Sequence, residues 1–260
     1  MKIGVDSYSY HLSILSKRAL DLNRLLIRLH NLRVQAVLIE DIFLKASDLR
    51  HTKELLERYG LEPTISCSVG YARKGSSADR AVKMTMRAIE MAEALNASLV
   101  KIVGGAIPGL PKRPQINLIV ENLRKIIPYA DEHDVVLAIE NHGDLTSREL
   151  LEVLNSCTHE RLKIAFDTAN PIWLGEDPIS SLNFLSDYIV LVKLRDYRIV
   201  NSKPIDVALG RGALDVPSII KKLLGMGFKG PVFISVYLNE GDEDLVVRKS
   251  LAYLRRLLPA

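Results

Sequence analysis

Three largely apolar runs in this chain end in ionisable side chains. Residues 135–139 run into Glu140, Asn141 and His142; residues 162–166 run into Asp167, Thr168, Ala169 and Asn170; residues 188–192 run into Lys193, Leu194, Arg195 and Asp196. This pattern reads as strands of a parallel sheet, buried on both faces and polar only where they emerge. Glu140, Asp167 and Lys193 then stand at like ends of neighbouring strands and converge. Two carboxylates buried together need a cation between them. That cation is either a metal ion or Lys193. As an ammonium, Lys193 would polarise a substrate carbonyl; as an amine of depressed pKa, it would attack one. Glu140 would take the proton from the neighbouring carbon as general base. The same three residues also read as an ion cluster without chemistry.

The elements that must position these groups alternate along the whole chain. Strands are predicted at 2–5, 35–39, 62–67, 98–103, 135–139, 162–166, 188–192 and 231–236. Helices are predicted between and after them. The first spans 16–32, with leucines at helical spacing. The second starts at Ser47 as N-cap and stops at Gly60; the third covers 77–96, and the fourth reaches His133. The fifth covers 147–157, capped by Ser147. Asp177-Pro178 and Asp215-Val216-Pro217 open the sixth and seventh, and the eighth covers 240–258. Residues 197–213 read as a long loop. Unbroken strand–helix alternation implies a parallel sheet, and eight units in one chain of this length match a single closed (β/α)8 barrel over 1–260. An open doubly wound sheet is the alternative, but no Gly-rich phosphate turn follows the first strand.

In such a barrel the reactive groups sit at the carboxyl ends of the strands. Those positions hold Asp6, Tyr8, His11, Glu40, Cys67, Glu140, His142, Asp167, Asn170, Lys193, Arg195, Asp196, Ser235 and Tyr237. The 260 residues are 48% hydrophobic and 25% charged, with a net charge of +4, an ordinary globular balance with basic and acidic residues interspersed. Two cysteines argue against a disulfide framework and fit a reducing cytosol. The chain starts without a signal-like segment and has no run near the roughly 20 apolar residues of a membrane span, so a cytoplasmic protein without membrane partners is expected.

The sequence resembles the xylose isomerase-like barrel superfamily of sugar isomerases and epimerases, which also contains endonuclease IV-type repair enzymes. The resemblance covers essentially the whole chain. Ile139-Glu140-Asn141-His142-Gly143, Phe166-Asp167-Thr168-Ala169-Asn170, Leu194-Arg195-Asp196, Leu209-Gly210-Arg211-Gly212 with Asp215, and Gly230-Pro231 carry it. It implies a xylose isomerase-like TIM barrel acting on a sugar or sugar phosphate by proton transfer through an enediol-type intermediate, in carbohydrate metabolism. It also implies one divalent metal (Mn, Mg, Co or Zn), held by a Glu on strand five, an Asp on strand six, a His on strand seven and a Glu on strand eight, the two Glu moving the proton. Glu140 and Asp167 match the first two ligands. Lys193 stands at the His position and Ser235 at the second Glu, with Tyr237 on the same face. Lysine is a poor ligand because its amine is protonated, and serine cannot take a proton from carbon. Any metal would rest on Glu140 and Asp167 with help from His142, Asn170 or water, and no other cofactor is expected.

Substrate contacts are expected from His142, Asn170, Ser235, Tyr237 and His11. Trp173 would stack on a sugar ring or pack on the barrel rim. Arg195 and Arg211 would hold a phosphate or carboxylate, or stay solvated. The nuclease branch needs several metals and a basic track, so nucleic acid is not an expected partner. A catalytically inactive barrel that binds a ligand or serves as a partner subunit stays open, as does a homo-oligomer.

Overall fold

A computed structural model describes residues 1–16 and 18–259. Among them the strands are β1 (Lys2–Asp6), β2 (Ala36–Glu40), β3 (Glu62–Cys67), β4 (Leu99–Val103), β5 (Val136–Glu140), β6 (Leu162–Asp167), β7 (Ile189–Leu194), β8 (Asp196–Val200), β9 (Lys203–Val207) and β10 (Pro231–Ile234). β1 to β7 and β10 pair in parallel, each with its neighbours, and β10 closes the barrel onto β1. The helices around it are α1 (Leu22–Asn31), α2 (Leu49–Tyr59), α3 (Gly75–Ala94), α4 (Lys112–Glu132), α5 (Ser147–Cys157), α6 (Pro178–Leu185), α7 (Val216–Gly225) and α8 (Glu243–Leu257). The expected closed eight-stranded (β/α)8 architecture is therefore present.

Local chemistry explains the helix ends. The side chains of Asp21, Asp177, Asp215 and Asp242 each accept from the backbone N–H three residues on, at the N-termini of α1, α6, α7 and α8. α5 starts with a reciprocal Thr146–Glu149 capping box, so the cap is Thr146 rather than Ser147. Gly60 ends α2 in the left-handed region, with φ 61°. The helix expected over 16–32 starts at Leu22; Lys17, inside that span, lies outside the described residues. Before it, Glu243 of α8 accepts from the N–H groups of Leu12 and Ser13 and from the Ser13 hydroxyl, which winds residues 12–16 into a separate short turn. Residues 197–213 are not all loop, because β8 and β9 form an antiparallel ribbon there. Asn201 and Ser202 take positive φ, 49° and 61°, at its two-residue turn.

Side chains alternate in and out of the barrel wall. The outward set packs on the helices as the main core, including Val5, Ile39, Ile65, Ile102, Ile139, Ile164, Val192 and Ile234. The inward set has two levels. Below, Ala36, Leu38, Ala138, Ala165, Leu191 and Phe233 form a separate apolar plug. A Cβ on Gly4 would lie 2.6 Å from the Phe233 ring, so glycine makes room for it. Above, each strand contributes one polar residue on the same parity: Asp6, Glu40, Ser66, Lys101, Glu140, Asp167, Lys193 and Ser235, all buried.

Candidate active site

The polar level is built around Glu140. Lys101 Nζ lies 2.9 Å from its Oε2, and Lys193 Nζ lies 3.2 Å from both of its oxygens. Lys193 also faces Asp167 Oδ2 at 3.6 Å and Asp6 Oδ2 at 3.9 Å. Asn170 Nδ2 donates to Glu140 Oε1 at 3.2 Å. Asp167 accepts from the backbone N–H of Ala169 and from Arg195 Nη1. Asp6 accepts from the Ser235 hydroxyl at 3.0 Å and the Tyr237 hydroxyl at 2.8 Å.

Arg195 is held from the other side by the β8–β9 ribbon. Its Nε and Nη2 donate to Asp206 at 3.1 and 2.8 Å, and Asp206 also accepts from the Tyr237 N–H at 2.8 Å. The guanidinium lies 4.5 Å from the Tyr237 ring centroid, a cation–π contact. Asp196, fully buried, accepts from the N–H groups of Tyr197, Gly210, Gly212 and Leu214 and so folds the return loop.

These contacts set the charges. Burial alone would favour neutral Glu140, but the ammoniums of Lys101 and Lys193 outweigh it and hold the carboxyl well below the usual range. Burial works against the Lys193 charge too, and Glu140, Asp167 and Asp6 together overcome it, raising its pKa. Lys193 therefore stays an ammonium and is not the attacking amine that a depressed pKa would have allowed. Glu140, pinned as an anion, is a weak base, which argues against the proton-abstracting role expected of it. Glu40 goes the other way. Burial raises its carboxyl, with Lys101 only partly opposing, and among the described residues it has no ion pair within 4 Å.

Above this level opens a cavity of about 420 Å3. Of the residues singled out in the sequence, Glu140, His142, Lys193, Arg195 and Tyr237 line it. Asp167, Asn170 and Ser235 lie behind the wall and hold the lining in place. His11 is one layer back, stacked on Tyr8 with centroids 4.7 Å apart, and Tyr8 is the one that lines the cavity. Two of the named residues stay outside the cavity. Trp173 is 57% exposed and leans on Gly143 outside the cavity, because a short helical turn at Asn170–Leu174 carries it outward. Arg211 is exposed in the loop that Asp196 organises, its carbonyl accepting from Arg198.

One site residue outside the strand-end positions is Lys101. It is the one charge inside an apolar strand, on the same parity as Leu99, and that parity was the available signal. Glu40 ends its strand as Glu140 does and stands among the strand-end positions, but separated by two strands from the runs that converge on Glu140. Asp206 had no local signal at all.

The expected metal does not fit these donors. The Lys193 ammonium lies among Glu140, Asp167 and Asp6. The strand-eight position offers only the Ser235 hydroxyl, which is spent on Asp6. Among the described residues no group of three or more His, Cys, Asp or Glu side chains is arranged to hold an ion. A dication would meet two ammoniums on the same carboxylate.

Comparison with known proteins places the scaffold. The sequence profile of the family described as "Xylose isomerase-like TIM barrel" matches residues 37–257. The uncharacterized protein YihM of Escherichia coli K12 is 26% identical over 133 residues, 49% of this chain; the match spans 40% of that protein's length. A D-tagatose 3-epimerase-like protein superposes with a TM-score of 0.83 at 20% identity, covering 99% of this chain and 97% of its own. The 3-keto-D-glucoside 4-epimerase YcjR from E. coli gives 0.81 at 16%, covering 98% and 99%. The IOLI protein, solved with a zinc atom, gives 0.82 at 15%, covering 99% and 98%. At these identities the structural likeness is one of fold. No helix among the described residues is long and apolar enough to cross a membrane. With its closed parallel barrel and a family match over most of its length, the chain belongs to the xylose isomerase-like TIM-barrel family.

Proposed function

We propose that this barrel moves a proton between adjacent carbons of a small polyhydroxy carbonyl compound, as aldose–ketose isomerases do, with lysine ammoniums in the role of a metal. The observation that carries the reading is two ammoniums, Lys101 and Lys193, on one carboxylate at the floor of a sugar-sized cavity. An ammonium has three N–H donors, so each lysine can hold Glu140 and still donate to a substrate oxygen. When a C–H bond next to the carbonyl breaks, its electron pair forms the C=C bond of the enediol and the carbonyl pair moves onto oxygen. The two buried ammoniums stabilise that oxygen. Glu40 takes the proton, because it lines the same cavity and its raised carboxyl makes it a stronger base than Glu140. It returns the proton to the former carbonyl carbon, while the hydroxyl hydrogen on the other carbon passes to the enediolate oxygen, leaving the carbonyl one carbon along. With Ser235 in place of a second carboxylate, one base serving one face favours this 1,2-shift over inversion at a single carbon. Glu140 positions the lysines, and Arg195, Tyr237 and His142 contact substrate hydroxyls. The epimerases among the fold neighbours support the substrate class. Two free cysteines, Cys67 and Cys157, fit a cytoplasmic setting.

The test is exchange in D2O. Trioses to hexoses are incubated with the purified chain and followed by proton NMR. Deuterium should enter next to the carbonyl, EDTA should leave the rate unchanged, and Lys193→Met should abolish it. Exchange that EDTA stops overturns the lysine reading. A complete absence of exchange favours the alternative of an inactive, ligand-binding barrel, which the closed pairing around Glu140, Asp167 and Asp6 also supports.

A further inference from the structure

The cavity continues sideways past its charged floor. Ser68, Val69 and Met84 border it and also border a second groove, of about 280 Å3, along the first turns of α3. That groove adds Arg73, Ser77 and Arg80 to its lining and no carboxylate. Ser77, Arg80 and Met84 share one face of α3 at spacings of three and four. Arg73 comes from the loop between β3 and α3. Asn122 of α4 fixes that loop by donating to the carbonyls of Tyr71 and Arg73, at 2.9 and 3.1 Å. The loop is also packed hard on its neighbour: a Cβ on Gly105 would lie 2.2 Å from the Gly70 Cα. Arg195, by contrast, is already paired with Asp167 and Asp206, whereas the guanidiniums of Arg73 and Arg80 have neither an ion pair nor a hydrogen bond among the described residues. Two cations unpaired among the described residues therefore line a pre-formed groove that opens into the cavity, and none of its lining residues is an acid.

We propose that this groove is an anion subsite, receiving a phosphate or carboxylate group carried by the substrate, with Arg73 and Arg80 as charge-assisted donors and Ser77 as a hydroxyl donor. The inference rests on reading the adjoining cavity as the substrate site. It makes the substrate a sugar phosphate or sugar acid, with its carbonyl end at Lys101 and Lys193 and its anionic end at the two arginines.

Titration calorimetry at low salt with inorganic phosphate tests the subsite without needing turnover. The wild type and Glu40→Gln should bind phosphate alike. Arg73→Gln with Arg80→Gln should bind it at least about tenfold more weakly, as loss of hydrogen bonds to a charged group implies, with the melting temperature unchanged because both positions are exposed. D-fructose, D-fructose 6-phosphate and D-galacturonate then separate the sources: one anionic sugar should bind more tightly than the neutral one, and the arginine double variant should erase that preference. Phosphate that does not bind, or binds the double variant equally, overturns the subsite, and so does equal binding of all three sugars. These outcomes are independent of the deuterium-exchange result, which tests the cavity chemistry.

Discussion

Lys193 has three carboxylates within 4 Å, at 3.2, 3.6 and 3.9 Å, and is 3% exposed. Lys193→Met leaves those anions with Lys101 and Arg195 as their only cations in that cluster. Breaking a buried ion pair costs about 3–5 kcal/mol, and the two remaining cations place this loss near 3 kcal/mol. The pH dependence follows from the shifts. Glu140 has a folded pKa below its unfolded one, so its stabilisation is present at neutral pH and lost as pH falls through the folded value. Lys193 has a raised folded pKa, so its contribution persists through neutral pH and is lost only as pH rises through that value. The Lys193→Met penalty should therefore be full at pH 7 and shrink in acid, where a carboxylate takes up a proton, and Mn2+ should partly rescue it. Thermal unfolding at both pH values, with and without Mn2+, checks this. A lysine kept for chemistry alone would lose turnover with no change in melting temperature. Glu40 predicts the opposite sign. Its raised folded pKa means that its charge opposes folding at neutral pH, so Glu40→Gln should stabilise the fold at pH 7 by about 0.5–2 kcal/mol, fade in acid, and end deuterium exchange. A lower melting temperature for Glu40→Gln at pH 7 contradicts this account.

At the level of elements, the β8–β9 ribbon acts as a strap across the barrel mouth. Asp206, on β9, binds Arg195 through two nitrogens and also holds the Tyr237 backbone, so one side chain ties the ribbon to the ends of β7 and β10. Asp206→Ala removes these bonds and leaves Arg195 shared between Asp167 and solvent. Charge-assisted hydrogen bonds of this kind are each worth about 1.5–3 kcal/mol, and partial exposure of Arg195 lowers the sum, so a total loss of about 2 kcal/mol is expected in urea unfolding. Fluorescence of Trp173, which neighbours the ribbon residue Pro204 in a small crevice, should change as well. Wild-type stability and an unchanged spectrum would show that the ribbon carries no part of the site. The ribbon was not legible in the sequence because its strands are half-exposed and owe their form to Asp206 and Asp196, whose partners are fixed only in three dimensions.

Across the whole molecule, the barrel interior separates an apolar plug below from one polar ring above, to which every barrel strand contributes and six contribute a charge. That ring resists conversion to a metal site by two substitutions. Lys193→His with Ser235→Glu supplies the donors the family uses, but Lys101 remains 2.9 Å from Glu140, and the new Glu stands where Ser235 now donates to Asp6. Elemental analysis of the wild type should find little tightly bound divalent ion, and the double variant should bind Mn2+ weakly. Adding Lys101→Met should produce tight binding, read as a melting temperature that climbs with Mn2+ concentration in the manner of a ligand specific to the folded state. Equal Mn2+ affinity in the double and triple variants would remove Lys101 from the argument.

The alternation of elements, the closed parallel barrel and the convergence of Glu140, Asp167 and Lys193 were all determined by sequence. Strand and helix periods are local, and in a parallel barrel like ends of strands meet at one rim. What surrounds those three residues was decided by tertiary structure. The register pairs Lys101, in mid-strand on β4, with Ala138, one inward position below Glu140, so that its long side chain reaches up to that carboxylate, and among the described residues Glu40 has no ion partner within 4 Å. Local backbone turns carry Trp173 and Arg211 away from the cavity, and long-range hydrogen bonds bring Asp206 to Arg195. Charge type is written residue by residue, but the pairing of charges, and with it the protonation state each one keeps, depends on distances between segments far apart in the chain.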